Sequence, residues 1–238
     1  MALFGTLFVL PTTLGGESIT DVIPEFVLAQ TKQLTHFVVE NVRTARRYLS
    51  RLGMPVPITD LHFEELNEHT SFQEVPKLLV PLLNGISVGL ISEAGVPAMA
   101  DPGAGLVALA HAKGVKVVPL TGPSSIVLAL MGSGLNGQNF AFVGYLPIKE
   151  DARARRIKQL EQRSKIEKQA QFFIETPYRN NRLMESMLNT LHAQTLLHVS
   201  TDLTMQTEFI CTKTVGEWRN SKMPNLHKRP SIFGIQVL

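Results

Sequence analysis

Apolar residues recur along the chain in two alternating arrangements, short continuous runs and longer amphipathic segments. In the first half, the continuous runs predict buried strands, which lie at 6–10, 36–40, 88–92 and 115–120. The amphipathic segments between them predict helices, which lie at 21–33, 42–52, 75–83 and 103–113. Such alternation is typical of βαβ units, so we expect a largely parallel sheet.

The second half of the chain has its strands crowded towards the end. The pattern predicts strands at 139–146, 171–175, 196–200, 208–212 and 231–237, with helices at 124–132, 151–168 and 180–191. Closely spaced strands favour a mixed sheet over a purely parallel one. We therefore predict an α/β protein with two α/β domains, residues 1–120 with a mostly parallel sheet and residues 121–238 with a mixed sheet.

Composition narrows the class of protein. The 238 residues are 44% hydrophobic, enough to build real cores, and the formal charge of +3 permits a polyanionic partner without requiring one. The single cysteine, Cys211, excludes an intramolecular disulfide and fits a reducing cytoplasm, where we expect the protein to be located. No segment approaches the roughly 20 apolar residues that span a bilayer, so we expect no membrane partner.

Several common signatures of catalysis are missing from the sequence. It contains no phosphate-binding G-x-x-x-x-G-K-[ST], no H-E-x-x-H, no paired Cys/His ligands and no G-x-S-x-G. These absences argue against nucleoside triphosphate binding, against a metal centre and against a serine hydrolase.

Two polar loops follow successive predicted strands, at 92–103 and at 121–125. Parallel strands place both loops at one edge of the sheet, where open α/β sheets bind ligands. Glycines in the first loop let a ligand approach the backbone, and its acids can accept hydrogen bonds from ribose hydroxyls. The second loop offers hydroxyls and free N–H groups at a helix start. The alternative is that both are plain connections between elements.

Seven ordered motifs give the chain a family resemblance. They lie at 9–15, 40–49, 91–103, 118–125, 133–135, 140–147 and 173–179. Together they resemble the tetrapyrrole-methylase-like class of S-adenosylmethionine methyltransferases, and within it the ribosomal RNA small subunit methyltransferase I branch. The class implies two α/β domains, a cofactor cleft between them and a homodimer. In the RNA branch the acceptor is the ribose 2′-hydroxyl of a cytidine in small-subunit ribosomal RNA.

The resemblance also implies which residues contact S-adenosylmethionine, with no metal required. In the first half these are Pro11, Glu93, Ala94, Gly95, Val96, Pro97, Met99, Asp101, Thr121, Gly122, Pro123, Ser124 and Ser125. Near the end of the chain, Pro230, Ser231 and Ile232 are expected to close over the adenine.

Catalytic candidates in the first half follow predicted strands. A ribose hydroxyl is a poor nucleophile, so a nearby base would assist its deprotonation. Glu40 is the first candidate for that base or for orienting the substrate; alternatively it caps the next helix or pairs with Arg43. Asn67 and Glu68 resemble a substrate-facing cluster of the branch, or belong to a solvated loop.

Two features of the second half are candidates for contact with RNA. Glu175 and Arg179 flank a Thr-Pro-Tyr sequence and would meet the substrate or a partner subunit, or form an ordinary ion pair. The run 149–168 carries an excess of cations, which would contact RNA phosphates or form a solvated helix face.

Three positions depart from the pattern of the branch. Asn41 replaces an acid, while Thr201 and Met205 replace two cations. These departures leave two other functions open. One is methylation of a tetrapyrrole or another small molecule, and the other is an inactive RNA-binding or assembly module.

Overall fold

The computed structural model describes residues 4–16, 18–71 and 73–238, and it divides into two compact units. Unit 1 comprises Met1–Ser124 and unit 2 comprises Ser125–Leu238. Each unit contains helices and its own sheet. The predicted fold class, two α/β domains, is confirmed.

Unit 1 is built on a parallel sheet. Its strands are β1 (Thr6–Leu10), β2 (His36–Val39), β3 (His62–Glu65), β4 (Val88–Ile91) and β5 (Lys116–Pro119), in the order β3-β2-β4-β1-β5. Every neighbouring pair in this sheet is parallel. Its helices are α1 (Glu25–Thr31), α2 (Val42–Leu52), α3 (Val80–Leu83) and α4 (Ala104–Ala112).

Prolines account for two differences from the predicted helices of unit 1. The helix predicted over 21–33 begins only at Glu25, because Pro24 stands at its N-cap with an extended backbone. The helix predicted over 75–83 is a 3₁₀ segment, Val75–Leu79, followed by α3, and each part has a proline in its first turn. A proline starts a helix well but removes a hydrogen bond when it lies further inside one.

The sheet of unit 1 is buried on both faces. One cluster of buried side chains packs β1 and β4 against α4 and the 3₁₀ segment. A second cluster packs β1, β2 and β4 against α1 and α2. All four residues of β4 are buried, as expected of a central strand covered on both sides.

Unit 2 has a mixed sheet. Its strands are β6 (Phe140–Tyr145), β7 (Ala170–Ile174), β8 (Leu196–Thr201), β9 (Phe209–Thr214) and β10 (Ser231–Gln236), in the order β6-β7-β10-β8-β9. Only β6 and β7 are parallel, and the other neighbours are antiparallel. Its helices are α5 (Ser125–Ser133), α6 (Glu150–Glu167), α7 (Asn180–Thr190) and α8 (Val215–Arg219).

Aromatic side chains form the core of unit 2. The rings of Phe173 and Phe233 stack with centroids 6.2 Å apart between β7 and β10. Trp218 is buried in the same cluster and donates its Nε1–H to the Leu197 carbonyl at 2.8 Å, which satisfies the polar end of the indole. Within the described residues, no helix combines the length and the apolar character needed to cross a membrane.

Gly89 yields a stability prediction, with Gly105 as its matched control. A Cβ at Gly89, in the central strand β4, would lie 2.5 Å from Leu10 Cδ1 and 2.9 Å from Phe37 Cδ1. We expect Gly89→Ala to lower the free energy of unfolding by about 1–3 kcal/mol through overpacking.

Gly105 lies in α4 with open space around its Cβ position, so Gly105→Ala should raise the free energy of unfolding by about 0.5–1 kcal/mol. Urea unfolding followed by circular dichroism measures both values. A Gly89→Ala protein as stable as the wild type would contradict the packing of β4.

Candidate functional site

Three loops of unit 1 meet at one edge of its sheet. The strands β4, β1 and β5 are parallel neighbours, so the loops that follow them leave from the same edge. The Thr12 N–H donates to the Gly95 carbonyl at 2.8 Å, which joins the loop after β1 to the loop after β4. A Cβ at Gly122 would lie 2.2 Å from Pro11 Cβ, and one at Gly95 would lie 3.3 Å from the Pro123 oxygen. The structure therefore brings all three loops into contact.

The loop after β4 has an unusual backbone. Gly95 and Gly103 have positive φ angles, as do the non-glycine residues Ala98 at 64° and Ala100 at 66°. An alanine in this left-handed region costs roughly 1–2 kcal/mol. Strained residues of this kind cluster at ligand sites, where the surrounding structure holds them in place.

Thr12 has a buried hydroxyl that sequence reasoning did not single out. The residue is 4% exposed, and among the described residues its Oγ1 has no hydrogen-bond partner. An unsatisfied buried polar group costs about 1–3 kcal/mol, so such a group requires an explanation. A ligand with a hydrogen-bonding group at this edge would supply the missing partner. The position next to Pro11 at the end of β1 was the available signal in the sequence.

Three carboxylates approach one another at the same edge. The Glu93 N–H donates to Glu40 Oε2 at 2.9 Å, which ties the end of β2 to the loop after β4. Burial is the largest cause that raises the pKa of Asp101 to about 6, and the charge of Glu40 is the second. A hydrogen bond with Ser92 partly opposes these effects, while Glu93 adds to them. A carboxyl with a pKa near neutral can exchange a proton in solution at ordinary pH.

The first turn of α2 shows what the Asn41 departure does. Its Oδ1 accepts hydrogen bonds from the backbone N–H groups of Arg43 at 2.9 Å and Thr44 at 3.1 Å. Asparagine caps a helix as well as aspartate does, so the cap survives the substitution. Asn41 therefore caps α2, and Glu40 instead accepts from the loop after β4. Arg43 is exposed and forms no ion pair with Glu40 among the described residues.

Helix α2 also supports the loop after β1. Tyr48 is buried and donates its hydroxyl to the Pro11 carbonyl at 3.2 Å. Burial raises the pKa of this tyrosine to about 12, so its hydroxyl remains a donor. Helix α2 thus holds the residue that the resemblance assigns to the cofactor.

Most other residues assigned to the cofactor lie along the same loops or at the start of unit 2, and Pro230, Ser231 and Ile232 lie at the start of β10. Ser92 Oγ donates to the Ala94 carbonyl at 3.3 Å, and Ser124 Oγ donates to the Met99 sulfur at 3.4 Å. Ser125 begins α5. The exposed members are Glu93, Ala94, Met99 and Thr121, and those half-buried or buried are Val96, Pro97, Gly122, Pro123 and Ser125.

Asn67 and Glu68 lie in the turn after β3. Asn67 Oδ1 accepts from the backbone N–H of His69 at 3.0 Å, and its own N–H donates to Thr70 Oγ1 at 3.0 Å. Asn67 also lines a shallow polar depression of about 520 Å³. Glu68 is exposed and faces His69 across 3.7 Å. Asn67 shapes the turn, whereas the Glu68 carboxylate is in solvent.

Glu175 and Arg179 of unit 2 form an ion pair of 2.6 Å. The Glu175 side chain is only 1% exposed, and its Oε1 also accepts the Thr176 N–H at 2.6 Å. Among the described residues, Glu175 Oε2 and Arg179 Nε have no partner. The pair therefore leaves hydrogen-bonding capacity unused.

The start of β10 is held by the end of β8. The Pro230 carbonyl accepts from the Asp202 N–H at 3.0 Å and from Thr201 Oγ1 at 3.1 Å. Ser231 Oγ donates at 2.9 Å to Thr201 Oγ1, and Ile232 is buried in the strand. Asp202, which follows the substituted Thr201, pairs with Arg229 at 2.7 Å.

Helix α6 presents only part of its positive charge to solvent. Arg153 is buried and donates to Ser186 and to the Ile148 carbonyl, both at 2.9 Å. Arg163 pairs with Glu167 at 3.0 Å. Arg155, Lys158 and Lys165 are exposed and form no ion pair among the described residues. Across the described ranges, no group of three or more acidic, His or Cys side chains has an arrangement that would hold a metal ion.

Curated proteins with similar sequences share one name. A Vibrio cholerae protein named ribosomal RNA small subunit methyltransferase I is 31% identical over 204 residues, which is 86% of this chain and 67% of the relative. Proteins of the same name from Pasteurella multocida and Mesorhizobium japonicum are 30% and 35% identical. These matches cover 98% and 74% of this chain, and 80% and 57% of the relatives' lengths. No protein-family model matches the chain.

Solved structures confirm the fold type. The methyltransferase CobJ matches 98% of this chain and 94% of its own with a TM-score of 0.64 and 16% identity. The cobalamin biosynthetic enzyme cobalt precorrin-4 methyltransferase, CbiF, matches 97% and 94% with a TM-score of 0.57 and 14% identity. The chain therefore has the fold of tetrapyrrole methyltransferases, and its sequence relatives are methyltransferases.

Asp101 yields a pH-dependent prediction for Asp101→Asn. Its pKa of about 6 in the folded protein lies above the ordinary aspartate value of 3.8, because burial and the charge of Glu40 disfavour the ionised carboxylate. The stability that protonated Asp101 contributes is fully present below pH 3.8 and is lost as the pH rises through about 6. Asparagine carries no charge, so the Tm of Asp101→Asn should match the wild type near about pH 4 and exceed it above about pH 7.

Thermal unfolding followed by circular dichroism across this range measures the difference in Tm. Asp21→Asn, at an exposed turn, is the control and should shift the Tm by the same small amount at every pH. If the difference in Tm between Asp101→Asn and the wild type does not grow with pH, the unfavourable environment of the Asp101 charge is refuted.

Proposed function

The chain belongs to the ribosomal RNA small subunit methyltransferase I family, and on this premise we propose that it methylates the ribose 2′-hydroxyl of a cytidine in small-subunit ribosomal RNA. Methyltransferases of this type use S-adenosylmethionine as methyl donor. The observation that carries the proposal is the convergence of three loops around an unsatisfied buried hydroxyl, next to a group of carboxylates.

The loop edge of unit 1 fits the methyl donor in its chemistry. S-adenosylmethionine carries an ammonium, a carboxylate and two ribose hydroxyls, which need acceptors, donors and close backbone approach. Glu93 and Asp101 supply acceptors, Thr12 supplies a free hydroxyl, and the loops approach one another closely at Gly95 and Gly122, where a Cβ would meet Leu14 or Pro11. When bound, the cofactor supplies a sulfonium-activated methyl group. The assignments of Pro230, Ser231 and Ile232 to its adenine remain part of the proposal and rest on the resemblance.

Glu40 is the proposed acceptor of the ribose proton. Its Oε2 is fixed by the Glu93 N–H, which is the one hydrogen bond of this carboxylate among the described residues. The fixed oxygen orients the carboxylate and leaves the other oxygen for a substrate hydroxyl. Methyl transfer needs in-line approach of the nucleophile, so positioning supplies much of the rate enhancement. We place Arg43, Asn67 and Glu68 on the substrate side of this edge, with Arg43 contacting phosphate.

The alternative functions are less well supported. Similarity to tetrapyrrole methyltransferases is 14–16% in sequence and supports the fold alone, whereas the relatives named for ribosomal RNA are about twice as similar. The substitutions that motivated the inactive module leave ordered local structure at their positions. Asn41 still caps α2, and Asp202 beside Thr201 forms an ion pair with Arg229.

We further propose that the enzyme acts as a homodimer in the cytoplasm and needs no metal ion. The dimer rests on the resemblance, and the location rests on the single cysteine together with a ribosomal substrate. When the methyl–sulfur bond of a sulfonium breaks, a neutral thioether leaves, which is a good leaving group, so methyl transfer needs no Lewis acid. Sedimentation velocity tests the homodimer. Activity in the presence of a chelator tests whether the enzyme needs a metal ion.

The central test is transfer of a tritiated methyl group to small-subunit ribosomal RNA that lacks its native modifications. We expect incorporation with the wild type, and a fall in kcat of about 10²–10⁴ for Glu40→Gln because the base is lost. The affinity for S-adenosylhomocysteine should stay within about twofold in this variant.

Glu25→Gln, at the exposed start of α1, is the matched control and should leave kcat unchanged. Cofactor binding without transfer to any RNA would support the small-molecule or inactive alternatives. Absence of cofactor binding would overturn the proposed function altogether.

Thr12 tests the cofactor site without measuring catalysis. Thr12→Val removes the unpaired hydroxyl at nearly constant volume, so the Tm of the ligand-free protein should not fall. Calorimetry with S-adenosylhomocysteine should give a Kd about 3- to 10-fold weaker, the value of one hydrogen bond. Thr12→Ser retains the hydroxyl and should bind within about twofold of the wild type. Equal affinities for Val and Thr would remove Thr12 from the site.

A further inference from the structure

One edge of the unit 2 sheet carries exposed tyrosines. Strands β6 and β7 are parallel, and Tyr145 pairs with Ile174 in register, so Tyr145 and Glu175 leave the sheet side by side. Tyr145 is 60% exposed, and Tyr178, four residues beyond Ile174, is 69% exposed. Tyr145 ends β6 and Tyr178 lies in the loop after β7, so both exposed rings lie towards the carboxyl edge of this sheet.

Cations accompany these rings. The Lys228 Nζ lies 5.9 Å from the centre of the Tyr178 ring, and the His227 ring meets it edge-on at 6.0 Å. The hydrogen bond with Glu175 raises the pKa of the Arg179 guanidinium, and the charges of Glu175 and Tyr145 add to the effect. We call these five residues, Tyr145, Tyr178, Arg179, His227 and Lys228, the tyrosine surface.

The backbone beneath the tyrosine surface is fixed in place. The Lys228 N–H donates to the Pro177 carbonyl at 3.0 Å, and Lys228 itself has a φ of 59°, a left-handed conformation that lysine rarely adopts. Asn180 Nδ2 donates to the Arg229 carbonyl at 2.7 Å, and the Leu226 N–H donates to Asn181 Oδ1 at 2.9 Å. A surface ordered in advance binds a ligand with a smaller loss of entropy.

The two arginines near this edge differ in their unused donors. Arg229 donates from each of its three nitrogens, to Asp202, to the Asn225 carbonyl and to the Thr207 carbonyl. Arg179 has five N–H groups, yet among the described residues only Glu175 accepts from its guanidinium. Its side chain is 34% exposed. A buried carboxylate thus holds a partly exposed arginine that has Nη donors left for a ligand, whereas its Nε is buried.

We infer that the tyrosine surface binds an unstacked base of single-stranded RNA together with a neighbouring phosphate. Single-stranded RNA is recognised by stacking of splayed bases on tyrosine rings and arginine planes, with cations on the backbone. Tyr178 provides the ring, Arg179 provides planar donors and Lys228 provides the charge. The buried acid beneath the surface is neutralised by Arg179, so the exposed charge is positive. This inference rests on the proposed function, because it gives the RNA acceptor a binding surface on unit 2.

The test measures fluorescence anisotropy of a labelled single-stranded cytidine oligonucleotide with the full-length protein. Tyr178→Ala should weaken binding by at least about fivefold through lost stacking, and Tyr178→Phe should retain the wild-type Kd. Arg179→Ala should weaken binding as well. Lys228→Asn tolerates the left-handed backbone and removes the charge, so it should lower the salt dependence of log Kd by about one charge. Lys113→Ala, an exposed lysine at the end of α4, is the matched control and should leave Kd unchanged.

Three outcomes would overturn the inference. The first is an unchanged RNA Kd in Tyr178→Ala. The second is an equal loss of S-adenosylhomocysteine affinity in that variant, which would assign the surface to the adenine of the cofactor. The third is a change in sedimentation coefficient, which would assign the surface to contact between copies of this chain.

Failure of the proposed function is measured separately. It requires that the wild type transfers no methyl group to ribosomal RNA, whatever its affinity for the oligonucleotide. A wild type that methylates RNA, with a Tyr178→Ala variant that binds the oligonucleotide equally well, would refute only the tyrosine surface.

Discussion

The arrangement of the candidate site depends on close backbone approach at the carboxyl edge of the unit 1 sheet. Gly122 lies against Pro11 with no room for a Cβ, and the Thr12 N–H bonds to the Gly95 carbonyl. These contacts are possible only because β1 is flanked by β4 and β5 in parallel, so that the three loops leave from one edge. Thr12 takes part in these contacts through its backbone, and its hydroxyl has no partner among the described residues. The alanines with a left-handed backbone lie in the same loop as Gly95.

Acids with reduced access to solvent are compensated in opposite ways in the two units. In unit 2, Glu175 and Asp202 each have an arginine at 2.6 or 2.7 Å, which compensates for lost hydration. In unit 1, Asp101 has a serine hydrogen bond but two acidic neighbours, and its pKa rises to about 6. A protein selected for stability alone would have paired this carboxyl. The uncompensated charge lies where the loops converge, which is where a perturbed titration supports chemistry.

Local pattern was sufficient for most of the fold. The continuous apolar run of β1 and the amphipathic spacing of α2 predicted both elements with their observed bounds. Strand β3 escaped prediction because it lies at the sheet edge and ends in two glutamates, and α8 escaped because five residues are too few for a helical period. The loops of the site were predictable from their position after strands. The bond between Glu40 and the Glu93 N–H was not, because it joins residues 53 apart whose proximity only the strand order creates.

Positive charge is retained at one edge of unit 2 although the two cations typical of the branch are substituted there. Thr201 and Met205 replace cations, and the segment between them instead contributes Asp202, an acid. Arg229 lies on that acid at 2.7 Å and bonds to Thr207, so it neutralises the segment and fixes the loop that precedes β10. The adjoining Lys228 is thereby held over the Tyr178 ring in a backbone conformation that lysine would not adopt alone. Positive charge at this edge of unit 2 is therefore supplied by a neighbouring loop, and the loss at 201 and 205 does not by itself argue against an RNA substrate.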